Sequence, residues 1–275
     1  MTMNDRVSVH SICFPSAGIE ELGRNWRALG AKRVSFSSAQ VLEYGARKTR
    51  NMLDAAGQSV ETIAHVFRSG GLCANMDAER ALLAQVIEAA ATLGARSIYM
   101  LTGGRGDMDW EDAANTFAET IAPCRQIARD AGLQLAIENT TPFYAHAHLG
   151  NNLRDTIALA ELAEIGVCID MFGCWTEAGL HDLIARAMPR CELVQVSDYV
   201  LGDRALPCRA VPGDGTIPWP QLLQFLHAAG YAGTFDLELI GPRIDQEGQV
   251  AAVKRAADYV GKCLRRLGPE APDPH

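Results

Sequence analysis

A phrase recurs along this chain, and its recurrence limits the fold more than any other feature. "ALGAKRVSF" at 28–36 and "TLGARSIYM" at 92–100 share one grammar: helix end, glycine, alanine, basic residue, β-rich run. Glycine after a helix supplies a left-handed cap, and β-branched and aromatic residues suit the strand that follows. "DAGLQLAIE", "AEIGVCIDM" and "AAGYAGTFDLEL" vary the theme. Eight strand candidates result: "RVSVHSICF", "RVSFSSA", "SVETIAHVF", "RSIYMLT", "LQLAIEN", "GVCIDMF", "ELVQVSD" and "TFDLELI".

Helical periodicity fills most of the gaps. Over 77–93, Leu82, Leu83, Val86, Ile87 and Ala90 share one face. Asp109 is placed to cap the next helix, Asn151 and Asn152 open "LRDTIALAELA", and "IPWPQLLQFLHAAG" has a proline in its first turn, where it is tolerated. Strands alternating with helices indicate a parallel α/β fold. Eight such units in 275 residues match a single closed (β/α)8 TIM barrel better than an open sheet. The barrel is expected over 1–267, with the proline-rich "GPEAPDPH" at 268–275 a frayed tail.

In such a barrel the active site lies at the C-terminal ends of the strands. "LQLAIENT" ends its apolar run in Glu138, and "TFDLELIGP" carries Glu238 the same way. Ionised carboxylates are costly to bury unless paired or bound to a metal. The two strands between add Asp170 in "VCIDMFG" and Gln195 and Asp198 in "VQVSD". A salt-bridged or capping acid explains any one of these residues; acids at successive strand ends converge above the barrel axis instead. Oxygen donors of this kind suit one divalent ion, Mn²⁺ or Mg²⁺ before Zn²⁺ or Co²⁺. His10 and His65 stand near the ends of the first and third strands. His65, late in "TIAHVF", is the better candidate for a substrate contact.

The formal net charge of −8 argues against a nucleic-acid binder, which carries a basic face. No run of eighteen apolar residues suggests a membrane span, and "MTMNDRVSVH" lacks signal-peptide character, so a cytoplasmic protein is expected. Its eight cysteines, Cys73 among them, include no C-x-x-C pair and are expected to be reduced and mostly buried.

"LAIENT", "GVCIDMFG", "LVQVSD", "RAVPGDGTIPW" and "GYAGTFDLELIGP" resemble the xylose-isomerase-like TIM-barrel superfamily of sugar isomerases and epimerases, which includes inosose isomerases and tagatose/psicose 3-epimerases. The resemblance implies a divalent metal held by residues that map to Glu138, Asp170, Gln195 and Glu238. It also implies that the two glutamates double as acid and base, and that Arg209 contacts substrate oxygens. The family usually has histidine at the position of Gln195 and again at the position of Gly173. His146 or His148 is a candidate substitute for the second.

The function implied is metal-dependent isomerisation or epimerisation of a small keto-sugar or keto-polyol through an enediolate. The same enolate could expel a β-hydroxyl, so a lyase acting on a keto-polyol or dehydroshikimate-like substrate is the nearest alternative. A metal-free binding or partner protein is another, raised by the two missing histidines. The family also resembles AP endonucleases, but the acidic chain lacks the extra histidines that gather their three metals. The expected partner is a small-molecule substrate, not nucleic acid or membrane, with homo-oligomer formation left open.

Overall fold

A computed structural model describes residues 3–67 and 75–267. Cys73 and the tail at 268–275 lie outside the described residues. The strands in chain order are β1 (Val7–His10), β2 (Arg33–Ser37), β3 (Ser59–Val66), β4 (Ser97–Leu101), β5 (Gln134–Glu138), β6 (Gly166–Asp170) and β7 (Cys191–Val196), followed by β8 (Asp198–Tyr199), β9 (Arg209–Ala210) and β10 (Phe235–Leu237). Eight of them close into a barrel in the order β1-β10-β7-β6-β5-β4-β3-β2, every pairing within it parallel. Each barrel strand overlaps one of the eight sequence candidates. The short β8 and β9, which the strand pattern did not suggest, pair antiparallel as a separate ribbon.

Glycine caps work as the repeated phrase implies. Gly30 and Gly94 adopt φ of 67° and 65° after the helices Ile19–Leu29 and Met76–Leu93. Asp109 and Asn152 cap the helices Trp110–Asp130 and Leu153–Ala163 by accepting from backbone amides three residues on. One junction differs: before β6 the left-handed cap is Glu164, at φ 53°. Gly166 is itself the first residue of β6, where a Cβ would stand 3.0 Å from the Arg190 carbonyl oxygen. None of the described helices is long and apolar enough to cross a membrane. The seven described cysteines are free, and six of them are buried.

Alternation along the strands sorts the side chains into two cores. Outward-facing Val9, Phe36, Ile98, Ile137, Ile169 and Leu237 join the apolar layer beneath the helices, where Trp26 meets Phe36 edge-on at 5.0 Å. Inside the barrel, Tyr99, Ala136, Cys168 and Leu193 form a smaller cluster. Asp236 stands near them, accepting from the hydroxyls of Ser8 and Ser35 at 2.5 and 2.9 Å.

At the opposite end from the mouth, Glu61 shows how this barrel treats a structural acid. It is 2% exposed and gripped by Arg33 at 3.0 Å and Arg96 at 2.7 Å. Two guanidinium partners make its burial tolerable. The acids at the other end are arranged differently.

Candidate active site

Glu138, Asp170 and Glu238 are all buried, and one carboxylate oxygen from each lies within 4.8 Å of the others. Glu138 and Asp170 are the last residues of β5 and β6. Glu238 follows β10 directly, its amide bonded to the Val196 carbonyl. Together they line a cavity of about 610 Å³ at the mouth.

One cation stands among them. Arg209 grips Asp170 with both terminal nitrogens, Nη1 to Oδ1 at 3.1 Å and Nη2 to Oδ2 at 2.7 Å. Nη1 also donates to Ser197 Oγ at 2.9 Å, and Nη2 lies 3.4 Å from Glu238 Oε1. The guanidinium rests 4.8 Å from the centre of the Phe172 ring, a cation–π arrangement. No described residue hydrogen-bonds the Glu138 carboxylate. Burial first, then the Glu238 and Asp170 charges, push its pKa well above the usual range. Burial also raises Glu238, while Arg209 and the amide of Gln195 oppose the shift.

Gln195, on β7, donates from Nε2 to Glu238 Oε2 at 2.6 Å and to the Tyr99 hydroxyl at 3.2 Å. Its Oε1 is buried without a hydrogen-bond partner. The group turned towards the acids is therefore the amide NH2.

Arg209 reaches the mouth because the chain after β7 folds on Asp198. This buried carboxylate accepts from the amides of Tyr199, Gly213, Gly215 and Ile217 at 2.8 to 3.2 Å. It thus gathers "PGDGT" beneath the ribbon that carries Arg209. A Cβ at Gly215 would clash with Asp198 Oδ1 and the Tyr199 carbonyl oxygen, so that approach requires glycine. Asp198 is a support for the loop and does not belong to the acid cluster.

Several candidates are placed elsewhere. His65 does not line the cavity; its neighbours Ala64 and Val66 do. Its Nδ1 lies 3.0 Å from Ser38 Oγ and its ring 5.3 Å from that of Phe67. Ser38, its hydrogen-bond partner, lines the cavity in its place. His146 is exposed and outside the lining. Just past Asp170, Phe172 forms part of the cavity wall and Trp175 packs against the core.

His148 is a strut between strand ends. Its Nδ1 accepts from the Thr102 amide at 3.0 Å, and its Nε2 donates to the Glu138 carbonyl at 2.7 Å. Burial lowers its pKa to about 4, against the opposing effect of the bond to Glu138. An unfolded histidine titrates near 6.5, so between these values the unfolded chain binds more protons and stability falls with falling pH. His148→Gln should remove about 1.4 kcal/mol of that loss per pH unit. Urea unfolding of both proteins at several pH values between about 6.5 and 4 measures it; identical slopes would refute the assignment.

Three contributors escaped the sequence reading. Tyr99 links Gln195 to His10, whose Nε2 lies 3.4 Å from its hydroxyl. Ser197 helps seat Arg209. Asn139 locks the end of β6, with Nδ2 donating to the Asp170 carbonyl at 2.8 Å and Oδ1 accepting from the Asp170 amide at 2.9 Å. A signal existed for Asn139, since a polar amide follows Glu138 directly in "IENT". For Tyr99 it was the interior position in the alternation of β4.

The donors suit a divalent cation. Three carboxylates face one guanidinium, and the Glu138 carboxylate has no counter-group of the kind Glu61 has. Every acidic donor atom is oxygen, which favours a hard or borderline ion.

A family model described as xylose isomerase-like TIM barrel matches residues 18–263. No curated protein matches the sequence. Among solved structures, the IolI protein with a bound zinc atom superposes with a TM-score of 0.81 at 13% identity, covering 96% of this chain and 99% of that one. L-ribulose 3-epimerase gives 0.76 at 18% identity, covering 97% and 96%. D-psicose 3-epimerase with D-tagatose from Clostridium cellulolyticum H10 gives 0.75 at 14% identity, covering 95% and 98%. At these identities the likeness concerns the fold.

Proposed function

This chain belongs to the xylose isomerase-like TIM-barrel family, and we propose that it is a metal-dependent isomerase or epimerase of a small hydroxy-carbonyl compound. The observation that carries the reading is the convergence of Glu138, Asp170 and Glu238 at the barrel mouth, with Glu138 buried and unpaired among the described residues. Glu138, Asp170 and Glu238 would hold the ion, with Gln195 as a fourth, neutral donor once its amide turns Oε1 inward. Mn²⁺ or Mg²⁺ is the expected ion. When bound, it supplies Lewis acidity that polarises the substrate carbonyl and acidifies the neighbouring C–H.

Glu138 and Glu238 stand on strands separated by β6 and β7 around the rim. That separation suits two faces of one substrate carbon. One carboxylate takes the α-proton to leave an enediolate, and the other returns a proton from the opposite face or at the adjacent carbon. Without a metal, burial and the neighbouring acids raise the Glu138 pKa; a bound cation would oppose that shift and favour the carboxylate that takes the proton. Arg209, with its planar fork beside the cavity, would steady the substrate oxygens that gain charge. Arg209's double grip on Asp170 favours a second reading, a protein that works without metal, because the guanidinium already supplies positive charge to the acids.

Metal content separates the two. Wild-type protein dialysed against MnCl2 should retain about one equivalent, as one cluster of donors implies, and Asp170→Ala should lose it. Full retention in Asp170→Ala would remove Asp170 from the ligand set, and no binding by the wild type would favour the metal-free reading.

A further inference from the structure

The cavity is chemically lopsided. Its charged lining groups, Glu138, Asp170, Arg209 and Glu238, all come from the half of the chain beginning at β5. On the side built by β1 to β3, His10 is the only ionisable lining group among the described residues. Burial, assisted by Arg209, lowers that ring to about 3, so it is neutral under ordinary conditions. Its Nδ1 accepts from the Ile12 amide at 3.0 Å, and its Nε2 faces Tyr99.

Hydroxyls on that side are already engaged. Ser11 and Ser37 both donate to Gln40 Oε1, and Ser38 pairs with His65. Around them Ile12, Pro15 and Val66 from this side join Leu101 at the end of β4 and Leu206 and Ile240 from the loops after β8 and β10 in an apolar lining. Val66 keeps 48% of its surface exposed although it ends a barrel strand. On that side a polyol would find the Gln40 amide NH2 and serine lone pairs to bond, and each hydroxyl beyond these would be buried without a partner, which is costly. The volume of about 610 Å³ also falls in the range that takes drug-sized ligands.

We propose that the substrate is amphipathic: a hydroxy-carbonyl end at the acid–arginine cluster and an alkyl or aryl segment along the β1–β3 wall. This rests on the reading of the acid cluster as the reacting end, and it makes an unadorned sugar a poor fit. The acids and Arg209 hold the polar end, and the apolar wall gains by removing the tail from water.

The test compares hydroxyacetone, 1-hydroxyheptan-2-one and D-fructose by titration calorimetry in the presence of MnCl2. Each added methylene should tighten binding about fourfold if fully buried, so the longer ketone, with four more methylenes, should bind roughly 250-fold tighter than hydroxyacetone. Val66→Asn should shrink that ratio about tenfold, which separates the wall from non-specific adsorption. Equal affinities for the two ketones, or D-fructose tighter than the heptanone, would overturn the proposal. Deuterium uptake from D2O into hydroxyacetone is read separately. Uptake without a chain-length gain removes the tail and keeps the proton-transfer reading. A gain without uptake keeps the tail and removes that reading.

Discussion

Glu238→Gln and Glu138→Gln are each expected to lower kcat by about 10²- to 10⁴-fold, the usual contribution of a positioned acid or base. Glutamine keeps the shape and one oxygen donor but cannot take a proton. The two variants should differ in how they fail. Glu238 accepts from Gln195 and lies beside Arg209, so its glutamine substitute disturbs two neighbours as well as the proton transfer. Glu138 has no such partners, and its substitution removes an electrostatic burden while abolishing the base. Glu138→Gln should therefore unfold at a higher urea concentration than wild type in metal-free buffer, even as its activity collapses. The sign follows from the raised pKa: a buried acid costs stability as pH rises above its unfolded value, and the amide is spared that cost. Deuterium exchange from solvent gives the catalytic readout. Full exchange in both variants would move the base to another residue.

Gly173→His is expected to destabilise the protein by about 2–3 kcal/mol, the cost of overpacking a filled site. The family's usual histidine at this position makes the substitution look like a repair. The local structure forbids it. A Cβ at 173 would lie 2.8 Å from Asn139 Nδ2 and 2.9 Å from the Thr140 carbonyl oxygen. Asn139 cannot move aside without releasing both backbone bonds that hold the end of β6. Asp170 sits at that end, so metal retention should fall together with the unfolding midpoint. A Gly173→His protein of unchanged stability would show that the Asn139 clamp is dispensable. In this chain the close packing of Asn139 takes the space a histidine side chain would need.

The barrel was legible because its signals are local. A helix end followed by a β-rich run is settled within about ten residues, and eight strand signals leave few closed arrangements. Glu138, Asp170 and Glu238 were legible because a charge inside an apolar strand is physically anomalous wherever the strand sits. Their convergence then followed from neighbouring strand ends. The partners of these groups were decided only by closure of the barrel. Arg209 reaches Asp170 through a ribbon anchored by Asp198, and Gln195 meets Glu238 and Tyr99 on strands far apart in the chain.

The placement of His65 depends on strand register, which its position late in the strand does not reveal. Val34 pairs with Val60 but Ser35 with Thr62, so Glu61 is passed over and β3 changes phase against β2. A one-residue slip exchanges the two faces of a strand. Ala64 and Val66 consequently line the cavity, and His65 stands behind Ser38. Periodicity within the sequence determined the elements and their order. Register and side-chain pairing between distant elements decided which groups meet, because those depend on contacts that exist only once the barrel is closed.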